Sequence, residues 1–483
     1  METEHRPFNQ RLFDLVRIAF DQGMQKVQEL RDQKKYILTY SDWPTMSAFD
    51  NGLPRFSEYP FNPAPTDYKG AFGRNHDWQI DNTQLSGFQD LLQYARSDES
   101  LVKHFTWPGQ PGPDQFFDFT ICMFVERLID RYIHLFPNEA PDDDRFAQIY
   151  RPLEACIYEK DLLVDIVIPI LFLKFDFDKH ILAPNAVIEK MSDEFQLARI
   201  SKRAYSPSVN TIVLGAATHA LVLKGWSINN SGNWSLSSNF SELSFYQKPL
   251  DLVDAFFGSL RIAGALDAGY AQVLVRPLNW ALHYVAHLPP VEGTSLRRYP
   301  YWFENYYWNQ PVTVVPDEKI IACSTLYLKL IEVENNRLRI ALKRLNGCYL
   351  REGEEDSVLD ATIAMEALLS DDERQEMTHK LALRIAALSS LTNFRAETPI
   401  QVFKAVKQIY AYRSKIVHGS TKTHKGREIA ITPTQKIPTV QLAIDYLRML
   451  ITILIDHPEY LRPARIDEDL LLDGRSRLDT ERH

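Results

Sequence analysis

Apolar residues recur at helical spacing through RLFDLVRIAFDQGMQKVQELRD (11–32) and FDFTICMFVERLIDRYIHLF (117–136), which predicts two amphipathic helices. Residues 40–80, between them, are rich in Pro, Gly, Asn and Asp and read as loops. Near residue 165 the period changes. In LFLKFDFDK (171–179), Leu171, Leu173, Phe175 and Phe177 alternate with Phe172, Lys174, Asp176 and Asp178, a period of two that predicts a half-buried strand. THALVLKGWSI (218–228) and AQVLVRP (271–277) predict further strands, with helices near 186–200 and 250–264. From Pro316 the pattern is helical nearly to the end. One long helix is expected over about 320–349, then others over 357–369, 374–391, 399–418 and 439–456. Pro399 fits a first helical turn and Gly419 a C-terminal cap. Residues 420–438 read as a polar loop, and the charged tail after Pro463 reads as mobile.

A chain of 483 residues exceeds one ordinary core, so two or three domains are expected. The pattern divides it into 1–160, mainly helical; 161–315, mixed α/β and a candidate sensor; and 316–483, helical with a charged tail. The fold class is therefore α+β, a mixed helix/strand N-terminal region followed by an all-α C-terminal bundle.

Charges interrupt the apolar faces of three consecutive C-terminal helices. With residues 402–418 on a helix, Val402, Val406, Ile409 and Val417 fall within about 40° of Arg413. Arg384 lies in the stripe of Met377, Leu381, Leu388 and Leu391, and Glu366 lies in the stripe begun by Leu359 and Ile363. A buried unpaired charge costs several kcal/mol, so a Glu366–Arg384–Arg413 network is expected between the helices. Such a network either fixes helix register or, with two arginines against one carboxylate, leaves positive charge for a phosphate. Five residues after Arg413 comes His418. At a helix C-terminus a histidine is commonly a plain cap, favoured by the dipole.

Charge changes that picture. The whole chain is acidic, with a net charge of −9, which excludes a generic nucleic-acid coater. Yet residues 404–436 hold eight Lys/Arg (404, 407, 413, 415, 422, 425, 427, 436) and one acid, Glu428, a local balance of +7. A charge run is ordinarily a solvated face; local basicity in an acidic chain also suits a phosphate-backbone binder. Lys415, Lys422, His424, Lys425 and Arg427 are the candidate contacts.

The stretch YAYRSKIVHG (410–419) places Arg413-x4-His418 on one helix of a helical bundle. It resembles the R-x4-6-H motif of HEPN ribonucleases. With LDATIAMEALL (359–369) and KLALRIAALSSL (380–391) it is similar to the ApeA-like branch of HEPN proteins, known from bacterial anti-phage defence. The resemblance covers roughly residues 350–460. It implies a C-terminal HEPN bundle in a homodimer or higher assembly, with two motifs meeting in one cleft. The implied activity is metal-independent RNA cleavage that leaves 2′,3′-cyclic phosphate and 5′-OH ends. Arg413 and His418 would be catalytic: His418 handling protons, Arg413 stabilising the phosphorane charge. Glu366, Arg384 and Ser414 would support them, and a phage-derived trigger is implied. Where some relatives carry a modified tyrosine two residues after the histidine, this chain has Ser420, which does not support a toxin–antitoxin pairing of that kind. The alternative is a non-catalytic HEPN scaffold that binds RNA or a protein partner.

Other chemistry is weakly signalled. Cys122, Cys156, Cys323 and Cys348 are scattered and read as reduced structural thiols. His283 and His287 have an i, i+4 spacing but lack an H-E-x-x-H glutamate, so they read as a structural pair rather than a zinc site. Phosphate-binding glycine motifs are missing from the sequence, and no cofactor or metal is expected. The aromatic run YPYWFENYYW (299–308) suits core packing or base stacking. The N-x-S sequons within 229–241 read as a polar loop. There is no run of about 20 apolar residues and no apolar signal core, so a cytoplasmic protein with no membrane partner is expected.

Overall fold

Asn9 opens the first helix, its side chain accepting the Leu12 N–H at 3.0 Å, and α1 runs Gln10–Asp32. The computed structural model describes residues 6–57, 64–106, 112–201, 209–230, 243–305, 307–371, 377–419 and 426–473. The fold mixes helix and strand and has a helical C-terminal region. It divides into two units. One comprises Met1–Pro169, Phe177–Pro249 and Ala271–Leu296; the other comprises Ile170–Asp176, Leu250–Tyr270 and Arg297–His483.

In the first unit, α1 is followed by a short antiparallel hairpin, β1 (Thr45–Ala48) and β2 (Pro54–Ser57), and then by four helices. These are α2 (Ser86–Ser97), α3 (Glu99–Phe105), α4 (Gln115–Leu135) and α5 (Asp143–Tyr158). Their apolar stripes share one core around Phe20, Phe88, Phe117, Tyr132 and Tyr150. Burying each such ring is worth roughly 1.5–3 kcal/mol. A second cluster, including Cys156, Leu162, Val164, Ile228 and Trp280, joins α5 to the sheet.

That sheet is built from β3 (Asp161–Pro169), β4 (Lys179–Ala183), β5 (Ala186–Lys190), β6 (His219–Asn229), β7 (Tyr270–Pro277) and β8 (Glu292–Arg298). Their order is β4-β5-β6-β3-β7-β8. Two expectations change here. The alternating run 171–179 is no long strand: Leu171 makes a lone bridge to Gly269, Leu173–Lys174 pairs in parallel with Thr313–Val314, and Lys179 already belongs to β4. The long strand, β3, lies just upstream. It is buried at every position from Val164 on, the charged Asp165 included, so most of it shows no alternation to read. Residues 186–190, expected as helix, form β5, because Pro184 and Asn185 turn the chain back from β4. The helix that follows, α6, covers Asp193–Ser201, and α7 covers Thr211–Gly215. Asn229 and Asn230 begin the sequon stretch, and residues 231–241 lie outside the described residues.

Helix α8 (Leu243–Gly264) leads into the second unit, which continues with α9 (Asp317–Ile331) and α10 (Asn336–Leu350). The expected single helix over 320–349 is thus two. Asn335 breaks it: its side chain accepts the N–H of Arg337 (2.9 Å) and Leu338 (3.3 Å) and caps α10. Helices α11 (Glu354–Leu369), α12 (Met377–Ser389), α13 (Pro399–Val417) and α14 (Thr439–Asp456) complete the helical region. Helix α10 packs on α11, α12 on α13, and α14 on α11 and α10. Residues 428–438, expected as loop, form an antiparallel hairpin of β9 (Glu428–Thr432) and β10 (Gln435–Pro438). The described part of the tail, to residue 473, forms a helical turn (Pro463–Ile466) and a π-helical turn (Asp467–Leu472). All four cysteines are buried and free. Among the described residues, no helix is long and apolar enough to cross a membrane.

Candidate functional site

Helix α13 positions the motif. Thr398 caps it, with the Gln401 side chain accepting the Thr398 N–H at 2.8 Å, and Pro399 supplies the preset first turn. Its buried side chains are Val402, Ala405, Val406, Ile409, Tyr410 and Tyr412. The Tyr410 hydroxyl donates to Thr362 O of α11 at 3.3 Å, and burial pushes its phenol pKa up. Beyond Tyr412 the helix emerges from the core: Val417, placed in the apolar stripe by its helical angle, is 59% exposed.

Arg413 sits at that point of emergence, with its side chain 33% exposed. Its Nη2 lies 3.5 Å from Glu366 Oε1 on α11, an ion pair too long and oblique to count as a hydrogen bond. Its Nε is buried and has no hydrogen-bond partner among the described residues. His418 is the C-cap residue of α13 and is exposed. Its backbone N–H donates to Ser414 O at 3.1 Å, while Gly419 takes a left-handed φ of 61° and ends the helix. The Ser414 side chain is exposed on the same last turn. No hydrogen bond or ion pair joins Arg413 to His418 among the described residues, consistent with their angular separation of about 140° on a helix.

The expected three-residue charge network does not form. Arg384 is buried in α12, its side chain 4% exposed, and is satisfied elsewhere. Its Nε and Nη2 reach both carboxylate oxygens of Asp467 (2.9 and 2.6 Å), Nη2 also reaches Asp371 (2.8 Å), and Nη1 donates to Leu369 O (2.7 Å). The hydrogen bond from Arg384 holds the Asp371 carboxyl below the usual carboxylate range. Two carboxylates thus neutralise one arginine, so the surplus positive charge expected from Arg384 is absent. Sequence reasoning missed both acids, because Asp467 lay in a segment read as a mobile tail and Asp371 in a connection.

Other arginine–carboxylate groups lace the same unit. Buried Asp360 of α11 accepts from Arg344 (2.5 Å) and Arg351 (2.8 Å). Asp445 of α14 joins Arg395 and Arg448, and Arg448 continues to Ile262 O at 2.8 Å. Of the basic candidates, Lys415 is half-buried on α13, and Arg427 pairs with Glu355 at 3.1 Å. Lys422, His424 and Lys425, together with Ser420, lie outside the described residues.

In the first unit, His283 and His287 occupy an irregular segment rather than one helical face. His283 lies 3.7 Å from Glu292, whereas the His287 ring packs 5.5 Å from Trp43. Among the described residues, no group of three or more His, Cys, Asp or Glu side chains is placed to hold a metal ion. In the aromatic run, Tyr299 and Phe303 are buried, while Tyr301 and Trp302 are exposed. No protein-family model, curated protein or solved structure matches the chain.

Proposed function

We propose that the helical C-terminal region is a HEPN-type bundle of the ApeA-like kind and that the protein is an RNA endoribonuclease acting in anti-phage defence. One observation carries this reading: at the end of α13 an arginine leaves the core with a single long ion pair among the described residues, and an exposed histidine stands at the cap. Helix-register arginines in this unit look different. Arg384 and Arg448 are engaged by carboxylates and backbone carbonyls at hydrogen-bond distance. Arg413 keeps binding capacity that Arg384, with all three of its nitrogens engaged, has used.

Two copies of this stretch would flank one cleft in a homodimer or larger assembly. There the RNA 2′-OH attacks the adjacent phosphorus, and the P–O5′ bond breaks. His418 of one copy takes the 2′-OH proton, and the second copy's motif returns a proton to the leaving O5′. Arg413 meets the charge on the equatorial oxygens. Glu366 orients Arg413, Ser414 lies on the same last turn, and Arg384 holds α12 in place. No cofactor or metal ion is part of this scheme. The first unit would sense the trigger, and the four buried thiols are compatible with a reducing cytoplasm.

The test is cleavage of end-labelled RNA in EDTA by the wild-type protein and by His418→Ala and Arg413→Ala. Loss of cleavage in both variants and cyclic-phosphate product ends are expected. Cleavage that requires added metal, or that survives His418→Ala, would overturn the mechanism. RNA binding without cleavage under trigger-replete conditions in infected cells would favour the non-catalytic scaffold.

A further inference from the structure

Neither α12 nor α13 contains an aspartate or glutamate, although the chain carries a net charge of −9. Arg384, Lys380 and Arg413 of this pair have carboxylates at 2.6 Å, 3.9 Å and 3.5 Å respectively, all supplied by other segments. Lys404 and Lys407 are exposed and have no ion pair among the described residues. They lie on a defined line: Lys404, Lys407, Ala411, Ser414 and His418 follow one another at steps of three and four residues, and all five are exposed. At 1.5 Å per residue this line is about 21 Å long. It begins with two cations, crosses two small side chains and ends at the histidine. Beside Lys407 an open groove of about 530 Å³ is lined by Met377, Thr378 and His379 of α12. The groove is shallow and widely open to solvent. The Lys407 ammonium lies 5.5 Å from the Phe403 ring, and the His379 ring meets that same ring edge-on at 5.6 Å, so the groove wall is cationic and aromatic.

We infer that the exposed face of α13 is a track for one single strand of RNA, whose phosphates lie on Lys404 and Lys407 and which delivers a downstream linkage to His418, with a nucleoside seated in the groove beside Lys407. This rests on the proposed ribonuclease reading of His418. A single row of cations fits one backbone; a duplex presents two strands of phosphates. Ala411 and Ser414 leave room for close approach of the strand between the lysines and the cap. An acidic protein segment is the competing occupant. It would need no aromatic-walled groove and no connection to His418.

The experiment uses the full chain carrying His418→Ala, so that bound RNA stays intact, and measures anisotropy of fluorescein-labelled single-stranded oligouridylate across a salt series. Lys404→Gln with Lys407→Gln removes two phosphate contacts. The slope of log affinity against log salt should fall by about 1.4, at roughly 0.7 per phosphate for a single strand. Extrapolated from convergence at 1 M, that is about a 25-fold loss at 0.1 M salt. Lys404→Arg with Lys407→Arg should restore both slope and affinity, which a folding defect would not allow. In the protein with His418 intact, the Gln pair should slow single-turnover cleavage at sub-saturating enzyme and recover at high enzyme concentration. Cleavage with unchanged salt slope in the Gln pair overturns the track and leaves the ribonuclease reading standing. Lysine-dependent RNA binding without cleavage supports the track and counts against that reading. An equal loss for duplex RNA overturns the single-strand assignment. Lysine-dependent binding of polyglutamate, with no binding of RNA, overturns the track in favour of an acidic protein partner.

Discussion

Arg384→Met keeps the aliphatic stem and removes the guanidinium from the most completely satisfied charge in the helical unit. The Leu369 carbonyl loses a donor at 2.7 Å, and an unsatisfied buried acceptor costs about 1–3 kcal/mol. Asp467 loses a bidentate partner and Asp371 a single one, but their side chains are 38% and 33% exposed, so water replaces part of each interaction. The total belongs at the lower end of the range for a broken buried pair, about 3 kcal/mol. Hydrogen exchange measured by mass spectrometry reads this locally. Peptides covering 377–389 and 463–473 should exchange about 150-fold faster where their opening is rate-determining, and a peptide covering 10–32 should not change. Asp467→Asn should deprotect 463–473 more than 377–389, because Arg384 retains Asp371 and Leu369. The effect depends on pH in a definite direction. Arg384 depresses the Asp371 pKa, so this stabilisation is present above the unfolded value of about 4 and is lost as pH falls through the lower folded value. The gap between variant and parent should therefore narrow in strong acid without closing, because the Leu369 carbonyl contact does not titrate. A change below about fivefold in 377–389 at neutral pH would refute the account of Arg384 as the anchor between α12 and the C-terminal turn.

Two further outcomes are expected. Burial raises the pKa of Glu126 in α4 to about 7, although the Asn82 side chain donates to it at 2.7 Å. The folded state then binds more protons than the unfolded state between about pH 4.5 and 7, so stability is full below that window and falls by about 3 kcal/mol as pH rises through it. Thermal midpoints of Glu126→Gln, which keeps the acceptor for Asn82, should lack this fall; an equally steep fall in the variant would reassign it to another group. Gly419→Ala meets nothing within 4 Å, so its cost is the left-handed φ of 61° alone, about 1–2 kcal/mol. Exchange in the last turn of α13 should rise while the rest of the helix holds, and Gly419→Asn should be milder; equal protection in all three proteins would remove Gly419 as the stop.

The long helices were legible from their apolar period. The periods in 11–32, 117–136, 399–418 and 439–456 correspond to helices within a residue or two at each end. Strand β3 was missed because sheet neighbours and helices cover it, and a strand buried on both faces has no alternation to read. The false strand over 171–179 had that alternation, yet it is split among a bridge at Leu171, the pair Leu173–Lys174, whose partner is more than 130 residues away in sequence, and the start of β4 at Lys179. The break between α9 and α10 was visible in principle: Asn335 followed by a helical run is an N-cap signal, overlooked because the apolar period continues across it.

For the candidate site, the position of a charge on a helical wheel identified Arg384, Arg413 and Glu366 but could not say which carboxylate each arginine would meet. A wheel describes one helix, whereas neutralisation depends on segments distant in sequence. Arg384 is 83 residues from Asp467 and 13 from Asp371, and both acids lie outside the helices that were compared. The same consideration separates the two arginines chemically. At the buried end of the scale, Arg384 must be neutralised for the fold to close, and it is. Arg413, where α13 emerges, has among the described residues one long ion pair and a buried Nε without a partner. Lys404 and Lys407, fully on the outer face, lie away from the carboxylates that serve their neighbours. Positive charge on the acid-free helices is therefore cancelled in proportion to burial, and what remains uncancelled is aligned with His418. A strand of RNA bound there would complete the neutralisation that the protein performs for itself everywhere deeper in the bundle.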